Sequence, residues 1–425
     1  MSELAKLSRE DLKKKHDDFV ARHAAFAARG LKLNMARGKP SPEQLDLAND
    51  MFDLVGRDNF TTAGGVDGRN YELLTGAPEA RALFAPILGA PADNVIAAYN
   101  SSLALMHDSV VFALLHGVPG GTPWSKQATK FLCPVPGYDR HFTICERYGI
   151  TMVSVPLRDD GPDMDVVERL VKDDPAVKGI WCVPKHSNPT GAVYGDATID
   201  RLAAMNAAAP DFRIFWDNAY ALHDLVDGVR IANILEACEE QGHPNRVFVY
   251  SSTSKITFAG AGVGLFAASK ENVAWMTKAM SARTIGPDKL NQLRHVRLLK
   301  DEAGLREHMK KHRALLAPKF ERVQAAFAEA LEGTGVATWT KPRGGYFVSL
   351  DVLPGCAAKV VELAKQAGIV LTPAGATHPY GKDPDDTNIR IAPSYPSLSE
   401  IKDAAEGIAL SVLVATTAKL LERQR

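Results

Sequence analysis

Apolar runs of strand length alternate with amphipathic segments of helical length through the middle of the chain. The apolar runs predict β-strands at residues 94–99, 131–136, 151–156, 179–184, 212–216 and 246–250. Apolar residues at helical spacing between these runs predict helices at residues 103–116, about 142–148, 163–172 and about 197–208. This alternation predicts an α/β fold in which helices cover both faces of a mostly parallel sheet.

The segments on either side of this region have different patterns. Residues 3–29 predict an amphipathic helix, and residues 271–332 are dominated by helical patterns that include a long charged helix near 302–331. Short strand patterns at 342–350, 369–371 and 388–393, followed by a helix from residue 397, predict a smaller α+β unit. We therefore predict a large domain of residues 56–319 and a small domain of residues 1–55 and 320–425.

Composition narrows the classes of function. The 425 residues include 50 Lys and Arg against 50 Asp and Glu, so the net charge gives no support for a nucleic acid or an anionic membrane as partner. No run approaches the ~18 consecutive apolar residues that span a membrane. The first residues show no apolar signal core, and the five scattered cysteines suit a reducing compartment. We expect a cytoplasmic protein without a metal site.

The conspicuous polar residues follow the predicted strands. They are Ser101, Tyr138, Asn188, Asp217 and Lys255. Because the carboxyl ends of parallel strands meet at one edge of a sheet, we expect these side chains to gather there. Hydroxyls at a strand end could bind a phosphate, and a shielded lysine beside them could act as an amine nucleophile. Taken alone, a capping serine and a surface lysine in a Ser/Thr turn explain these two motifs as well.

The order of the motifs along the chain resembles a known family. The matching motifs are Tyr71 with Gly76, Asn100-Ser101-Ser102, Tyr138, Asn188-Pro189-Thr190-Gly191, Asp217-x-x-Tyr220, Ser252-x-x-Lys255 and Arg390. Over almost its whole length the chain resembles the fold-type I aminotransferases of class I/II, which depend on pyridoxal 5'-phosphate (PLP). It looks closest to the MocR-type aminotransferase subgroup, which includes aspartate aminotransferases. The resemblance implies a mostly parallel seven-stranded sheet between helices in the large domain.

The resemblance also implies a role for each matching residue around the cofactor ring. Lys255 would form the Schiff base and then carry the proton of the substrate. Asp217 would face the pyridine nitrogen, and Tyr138 would stack on the ring. Asn188 and Tyr220 would hydrogen-bond the phenolic oxygen. His141 could be a partner of Asp217, although a plain surface histidine explains it equally well.

The remaining implied roles concern the phosphate, the substrate and a second subunit. Ser101, Ser102 and Ser252 would hold the phosphate, with Tyr71 reaching in from the partner of a homodimer that shares its active sites. Arg390 would bind the substrate α-carboxylate. One departure is that the family places an arginine seven or eight residues after the lysine, where this chain has Gly262 and Val263. The resemblance therefore leaves the neutralisation of the phosphate unexplained.

The expected reaction is ping-pong transfer of an amino group from an L-amino acid to a 2-oxo acid such as 2-oxoglutarate. A dicarboxylic donor needs a second cation, for which Arg37, Arg140 and Arg283 are candidates, and this favours aspartate or glutamate. Another donor, such as alanine, an aromatic amino acid or kynurenine, stays open. So does a PLP-dependent β- or γ-elimination lyase on the same scaffold. A non-catalytic relative is disfavoured because Lys255, Asp217 and Tyr220 are all present.

Overall fold

The computed structural model describes residues 3–424; Met1, Ser2 and Arg425, which belong to the predicted small domain, lie outside the described residues. Within that range the α-helices are α1 (Arg9–Ala27), α2 (Pro42–Asp46), α3 (Pro78–Leu88), α4 (Ser102–His116), α5 (Asp139–Arg147), α6 (Met164–Lys172), α7 (Asp196–Ala204), α8 (Ile234–Glu240), α9 (Lys270–Met280), α10 (Lys289–Leu299), α11 (Glu302–Leu331), α12 (Ala357–Gln366) and α13 (Leu398–Arg423).

The strands are β1 (Leu33–Asn34), β2 (Val95–Ala98), β3 (Lys130–Val135), β4 (Thr151–Arg158), β5 (Gly161–Pro162), β6 (Val177–Cys182), β7 (Arg213–Asp217), β8 (Val247–Ser252), β9 (Gly264–Ala267), β10 (Ala337–Trp339), β11 (Val348–Val352), β12 (Ile369–Val370) and β13 (Asn388–Ile391). Short 3-10 helices lie at Leu4–Lys6, Asn49–Phe52, Ala92–Asn94, Trp124–Lys126 and Pro379–Gly381.

The main sheet has the strand order β2-β9-β8-β7-β6-β3-β4-β5. Strands β8, β7, β6, β3 and β4 pair in parallel, whereas β9 is antiparallel to both of its neighbours. The prediction of an α/β fold with a mostly parallel sheet is confirmed. The seven strands that the resemblance implies correspond to β2, β9, β8, β7, β6, β3 and β4, and the two-residue strand β5 adds a short antiparallel edge beyond β4.

Alternate residues of the central strands enter two different cores. Phe131, Trp181, Phe215 and Phe248 pack on one face with α4, α5 and α9, and their rings form a chain of contacts with centroids 4.7–5.5 Å apart. Their neighbours in sequence point to the opposite face, toward α3, α6, α7 and α8. Because a strand buried on both faces loses the alternation of polar residues, it appears in the sequence as a continuous apolar run.

A third core lies outside the main sheet. It contains the apolar faces of α1, α12 and α13, the C-terminal half of α11, and the antiparallel sheet β10-β11-β13. Helix α11 changes partners along its length, since Leu305 and Met309 belong to the core of the main sheet and Leu316 and Phe320 to this third core. The separate cores support the proposed division into a large and a small domain, and its boundaries stay a prediction.

Helix α13 is long and apolar enough to cross a membrane, with a mean hydropathy of 1.5 over its most apolar window. However, 78% of that window is buried inside the protein. The helix packs against α1, α11 and α12, so its apolar residues belong to the third core.

Candidate active site

A cavity of about 410 Å³ lies where the carboxyl ends of the central strands meet the third core. Most of the side chains predicted for a site line it: Arg37, Ser102, Tyr138, Arg140, Asn188, Asp217, Tyr220, Lys255 and Arg390. Asp217 is the last residue of β7. The strands β2, β3, β6, β7 and β8 are each followed within six residues by one or more of Ser102, Tyr138, Arg140, Asn188, Tyr220 and Lys255. The strand ends therefore bring these residues together from distant parts of the chain.

Lys255 presents an amine without a strong partner. Its Nζ atom lies 5.0 Å from the centroid of the Tyr220 ring and makes no hydrogen bond or ion pair with any of residues 3–424. Burial lowers the pKa of Lys255 from its ordinary value, and the carboxylate of Asp217 opposes that shift. A lysine in this setting is neutral more often than a surface lysine, and a neutral amine is a nucleophile and a base.

Asp217 is buried, and only one of its two oxygens has a partner. Its Oδ2 atom lies 3.0 Å from Nε2 of His141, whose ring stacks on Trp181 at 4.3 Å and 9°. Its Oδ1 atom is buried without a hydrogen bond among the described residues. An unsatisfied buried carboxylate oxygen costs free energy, so this wall of the cavity needs a donor from a bound molecule. His141 is a partner of Asp217 and is not a surface residue.

Tyr138 and Tyr220 place two phenols beside the same cavity. Burial raises the pKa of both phenols above the ordinary value, and the Asp217 carboxylate adds to that shift. Both hydroxyls therefore stay protonated at neutral pH and can donate hydrogen bonds. The ring of Tyr138 meets His141 edge to face at 5.0 Å.

Hydroxyls and backbone crowd together beside the N-terminus of α4. Ser101 is the residue before α4, and Ser102 begins the helix. Ser252 Oγ donates to Ser254 Oγ at 3.1 Å, and Ser254 Oγ lies 3.5 Å from the carbonyl oxygen of Asn100. Hydroxyls and free N–H groups at a helix N-terminus form an anion site.

The structure gives a steric reason for the missing arginine at position 262, but not at position 263, where the side chain of Val263 is accommodated. A Cβ atom on Gly262 would lie 2.7 Å from the Asn100 carbonyl oxygen and 3.2 Å from Ser254 Oγ. Position 262 therefore has no room for a side chain unless the serine turns move apart. Gly262 permits the close approach of these two segments, and an arginine there would prevent it.

The predicted cations do not all reach the cavity. Arg37 and Arg140 line it, are exposed, and form no ion pair with residues 3–424. Arg283 lies elsewhere: its Nε atom is 3.0 Å from Asp108 Oδ2, and its guanidinium covers Tyr99. Tyr71 also lies outside its own chain's cavity, with 66% of the residue exposed.

Arg390, on β13, is buried in the wall of the cavity that the third core forms. Its Nη1 atom donates to Asp139 Oδ1 at 2.8 Å and lies 3.4 Å from Asn188 Oδ1. Its Nε atom lies 3.4 Å from Thr372 Oγ1, and its guanidinium covers the Phe347 ring at 5.1 Å. Sequence reasoning missed Asp139, although its place directly after Tyr138 was a signal.

Sequence reasoning also missed a group of buried histidines behind Lys255. Nε2 of His223 lies 3.1 Å from the Lys255 carbonyl oxygen, and Nε2 of His308 and His312 lie 2.7 and 2.9 Å from that of Ile256. Because a carbonyl can only accept, each Nε2 carries a proton. Gln44 donates to Nδ1 of His312, so that ring is neutral. The spacing of His308 and His312 by one helical turn was the available signal.

Burial holds these histidines in the neutral form. It lowers the pKa of His223 to about 3 and that of His312 to about 4, and it lowers the pKa of His308 as well. A charged His312 ring would lose the hydrogen bond that its Nδ1 atom accepts from Gln44, whereas its Nε2 atom could still donate to Ile256.

Comparison with known proteins agrees with this architecture. The model of the aspartate amino-transferase family matches residues 7–424. An aspartate aminotransferase of Corynebacterium glutamicum is 49% identical over 412 residues, which cover 96% of this chain and 94% of that protein. The crystal structure of an aspartate transaminase from the same species has a TM-score of 0.96 at 47% identity and covers 99% of both chains.

A more distant structure shares the fold. The α-aminoadipate aminotransferase of Thermus thermophilus, solved in complex with N-(5'-phosphopyridoxyl)-L-leucine, has a TM-score of 0.75 at 22% identity. It covers 93% of this chain and 95% of its own.

The neutral histidines predict a loss of stability in acid. A folded-state pKa below the unfolded value of about 6.5 contributes stability above pH 6.5, and that contribution is lost as the pH falls toward the folded pKa. His312→Gln keeps a donor for Ile256 but cannot take up a proton. Between pH 6.5 and 4.5 the free energy of unfolding, measured in urea, should therefore fall by about 2 kcal/mol less in this variant than in the wild type.

The control is His116→Gln, which removes an exposed histidine and should follow the wild-type pH dependence. Equal pH dependence in all three proteins would show that His312 does not titrate with a depressed pKa.

Proposed function

The chain belongs to the aspartate aminotransferase family and is a PLP-dependent transaminase of fold type I, and we propose that its amino donor is aspartate or glutamate. The acceptor would be a 2-oxo acid such as 2-oxoglutarate, reached by ping-pong half-reactions. The observation that carries the choice of substrate is that one cavity holds Arg390 on one wall and, at its edge, Arg37 and Arg140, which form no ion pair with residues 3–424. The relatives of this chain include aspartate aminotransferases, which supports the same choice.

The cavity residues fit the cofactor of the family. The buried Oδ1 atom of Asp217 lacks a donor, and a protonated pyridine nitrogen would supply one. We propose that PLP is held by the residues predicted for it: Ser101, Ser102, Tyr138, Asn188, Asp217, Tyr220, Ser252 and Lys255. When bound, PLP supplies an electron sink for the negative charge that develops at the substrate Cα.

Lys255 would do the proton chemistry. Because burial lowers its pKa, its Nζ atom can accept a proton from the substrate Cα and later return one. His223 hydrogen-bonds the carbonyl oxygen of Lys255 behind the cavity, so the backbone stays fixed while the side chain moves.

Asp217 would hold a positive charge against the cofactor ring. His141 donates to Oδ2 and is itself locked by stacking on Trp181, so Oδ1 keeps its orientation toward the cavity. A carboxylate held without solvent favours protonation of its partner. Asn188 and the protonated phenol of Tyr220 are the donors available for an oxygen on the ring.

The phosphate would be bound by backbone N–H groups and hydroxyls. The N-terminus of α4 supplies partial positive charge, and Ser101, Ser102 and Ser252 supply hydroxyls. In the proposed homodimer the exposed Tyr71 would reach the phosphate of the partner's site. We further propose a cytoplasmic location, which the five free, buried cysteines suit.

The substrate would be held at two ends. The planar guanidinium of Arg390 suits bidentate binding of the α-carboxylate. Arg37 or Arg140 would bind the distal carboxylate of aspartate or glutamate, a contact that alanine cannot make.

The first prediction concerns the donor. The absorbance of the PLP-loaded protein should move from a visible band into the near ultraviolet when L-aspartate is added, because the amino group is transferred. Lys255→Ala should show no pH-sensitive visible band and no such change. A shift with alanine or an aromatic amino acid, but not with aspartate or glutamate, would contradict the proposed donor and leave the transaminase activity intact.

The second prediction concerns the distal carboxylate. Loss of one charge-assisted hydrogen bond costs about 1.5–3 kcal/mol, so Arg140→Gln or Arg37→Gln should lower kcat/KM for aspartate about 10- to 100-fold. The same change should alter kcat/KM for alanine by less than about threefold, since alanine offers no distal carboxylate.

Arg147→Gln is the matched control, because Arg147 is exposed on the same helix as Arg140 and does not line the cavity. If all three variants keep the wild-type preference for aspartate over alanine, neither Arg37 nor Arg140 selects the substrate.

A further inference from the structure

The ion pair between Asp139 and Arg390 places a carboxylate of the protein on the arginine proposed to bind the substrate. The distance from Oδ1 to Nη1 is 2.8 Å, whereas the contacts of Arg390 with Asn188 and Thr372 are both 3.4 Å. Asp139 is thus the closest partner of the guanidinium. Both residues line the same cavity, together with Lys255.

The environment of the ion pair allows Asp139 to leave Arg390. Arg390 is buried and held from several sides, but the Asp139 side chain is 34% exposed. Asp139 contributes one hydrogen bond, and within residues 3–424 no acceptor contacts Nη2 of Arg390. A free carboxylate can form two parallel bonds with a guanidinium, so it can replace a contact that uses only one nitrogen.

The carboxylate of a displaced Asp139 also has a second stabilising environment. It is the first residue of α5, so its carboxylate lies near the free N–H groups and the positive end of that helix. The negative charge of Asp139 therefore stays stabilised when the side chain leaves Arg390.

We propose that Asp139 is a resident counter-ion that occupies the α-carboxylate position on Arg390 and is displaced by the substrate. The inference rests on the proposed role of Arg390. An unpaired guanidinium buried in the substrate-free protein would be costly, and Asp139 removes that cost. The consequence is competition, because every carboxylate that binds Arg390 must first displace Asp139.

The test is the affinity of a carboxylate that cannot react. Succinate has two carboxylates and no amino group, and its binding to the PLP-loaded protein can be measured by calorimetry without any turnover. Asp139→Asn and Asp139→Ala should bind succinate about 3- to 10-fold more tightly than the wild type, because the competing charge is gone. Asp139→Glu keeps the carboxylate and should stay within about twofold of the wild type.

Asp196→Asn is the control for the loss of a helix N-terminal carboxylate. Asp196 is the first residue of α7, a helix of the same length as α5, and it is exposed away from the cavity. This variant should bind succinate as the wild type does. Unchanged or weaker binding in both Asp139→Asn and Asp139→Ala would overturn the inference, since Asp139 would then be neutral or would help to orient Arg390.

Arg390→Gln separates this inference from the proposed function. It should lose succinate binding at least tenfold, whichever residue stands at position 139. If Arg390→Gln binds succinate normally, the carboxylate clamp itself is wrong, and the role of Asp139 fails with it. If Arg390→Gln loses binding while the Asp139 variants match the wild type, only the role of Asp139 is overturned.

Discussion

The candidate active site depends on two ionisable groups at the ends of adjacent parallel strands, the buried Asp217 and the half-buried Lys255. In the pairing of β7 with β8, Asp217 lies opposite Tyr250, and Lys255 follows five residues later. Neither Nζ of Lys255 nor Oδ1 of Asp217 has a hydrogen bond among the described residues. A buried carboxylate oxygen without a partner costs free energy, and a ligand that donates a hydrogen bond to it recovers that cost.

Packing and hydrogen bonds in the rest of the fold keep Asp217 and the backbone of Lys255 in place. The aromatic chain on one face of the sheet runs through Trp181 to His141, which holds Asp217. On the other side, neutral histidines hold the carbonyl groups of Lys255 and Ile256. His308 and His312 lie on α11, the helix that links the main core to the third core. Helix α11 thus connects the third core to the backbone beside Lys255.

The strands and the site could be predicted because both follow local patterns. Buried parallel strands are apolar runs, and parallel strands place their carboxyl ends together, so Tyr138, Asn188, Asp217 and Lys255 were found. Strand β9 has only four residues and was missed, although it pairs with the preceding strand β8. The contacts of the histidines behind Lys255 could not be predicted, because their partners are distant in sequence. Asp139 and Arg390 are 251 positions apart, and no periodicity connects them. Arg283 was misplaced for the same reason, since only tertiary packing shows that Asp108 pairs with it.

Because position 262 is a glycine, no arginine side chain at that position contributes positive charge to the site. Gly262 lets the Asn100 carbonyl approach Ser254, and the proposed phosphate pocket would then consist of hydroxyls, helix N–H groups and backbone. On the proposed function, Arg37, Arg140 and Arg390 then need not neutralise the phosphate and are all available for carboxylates. Among the described residues, Arg37 and Arg140 have no ion pair, and Arg390 is held by Asp139, which we propose the substrate replaces. A pocket with this distribution of charge favours a substrate with two carboxylates over one with a single carboxylate.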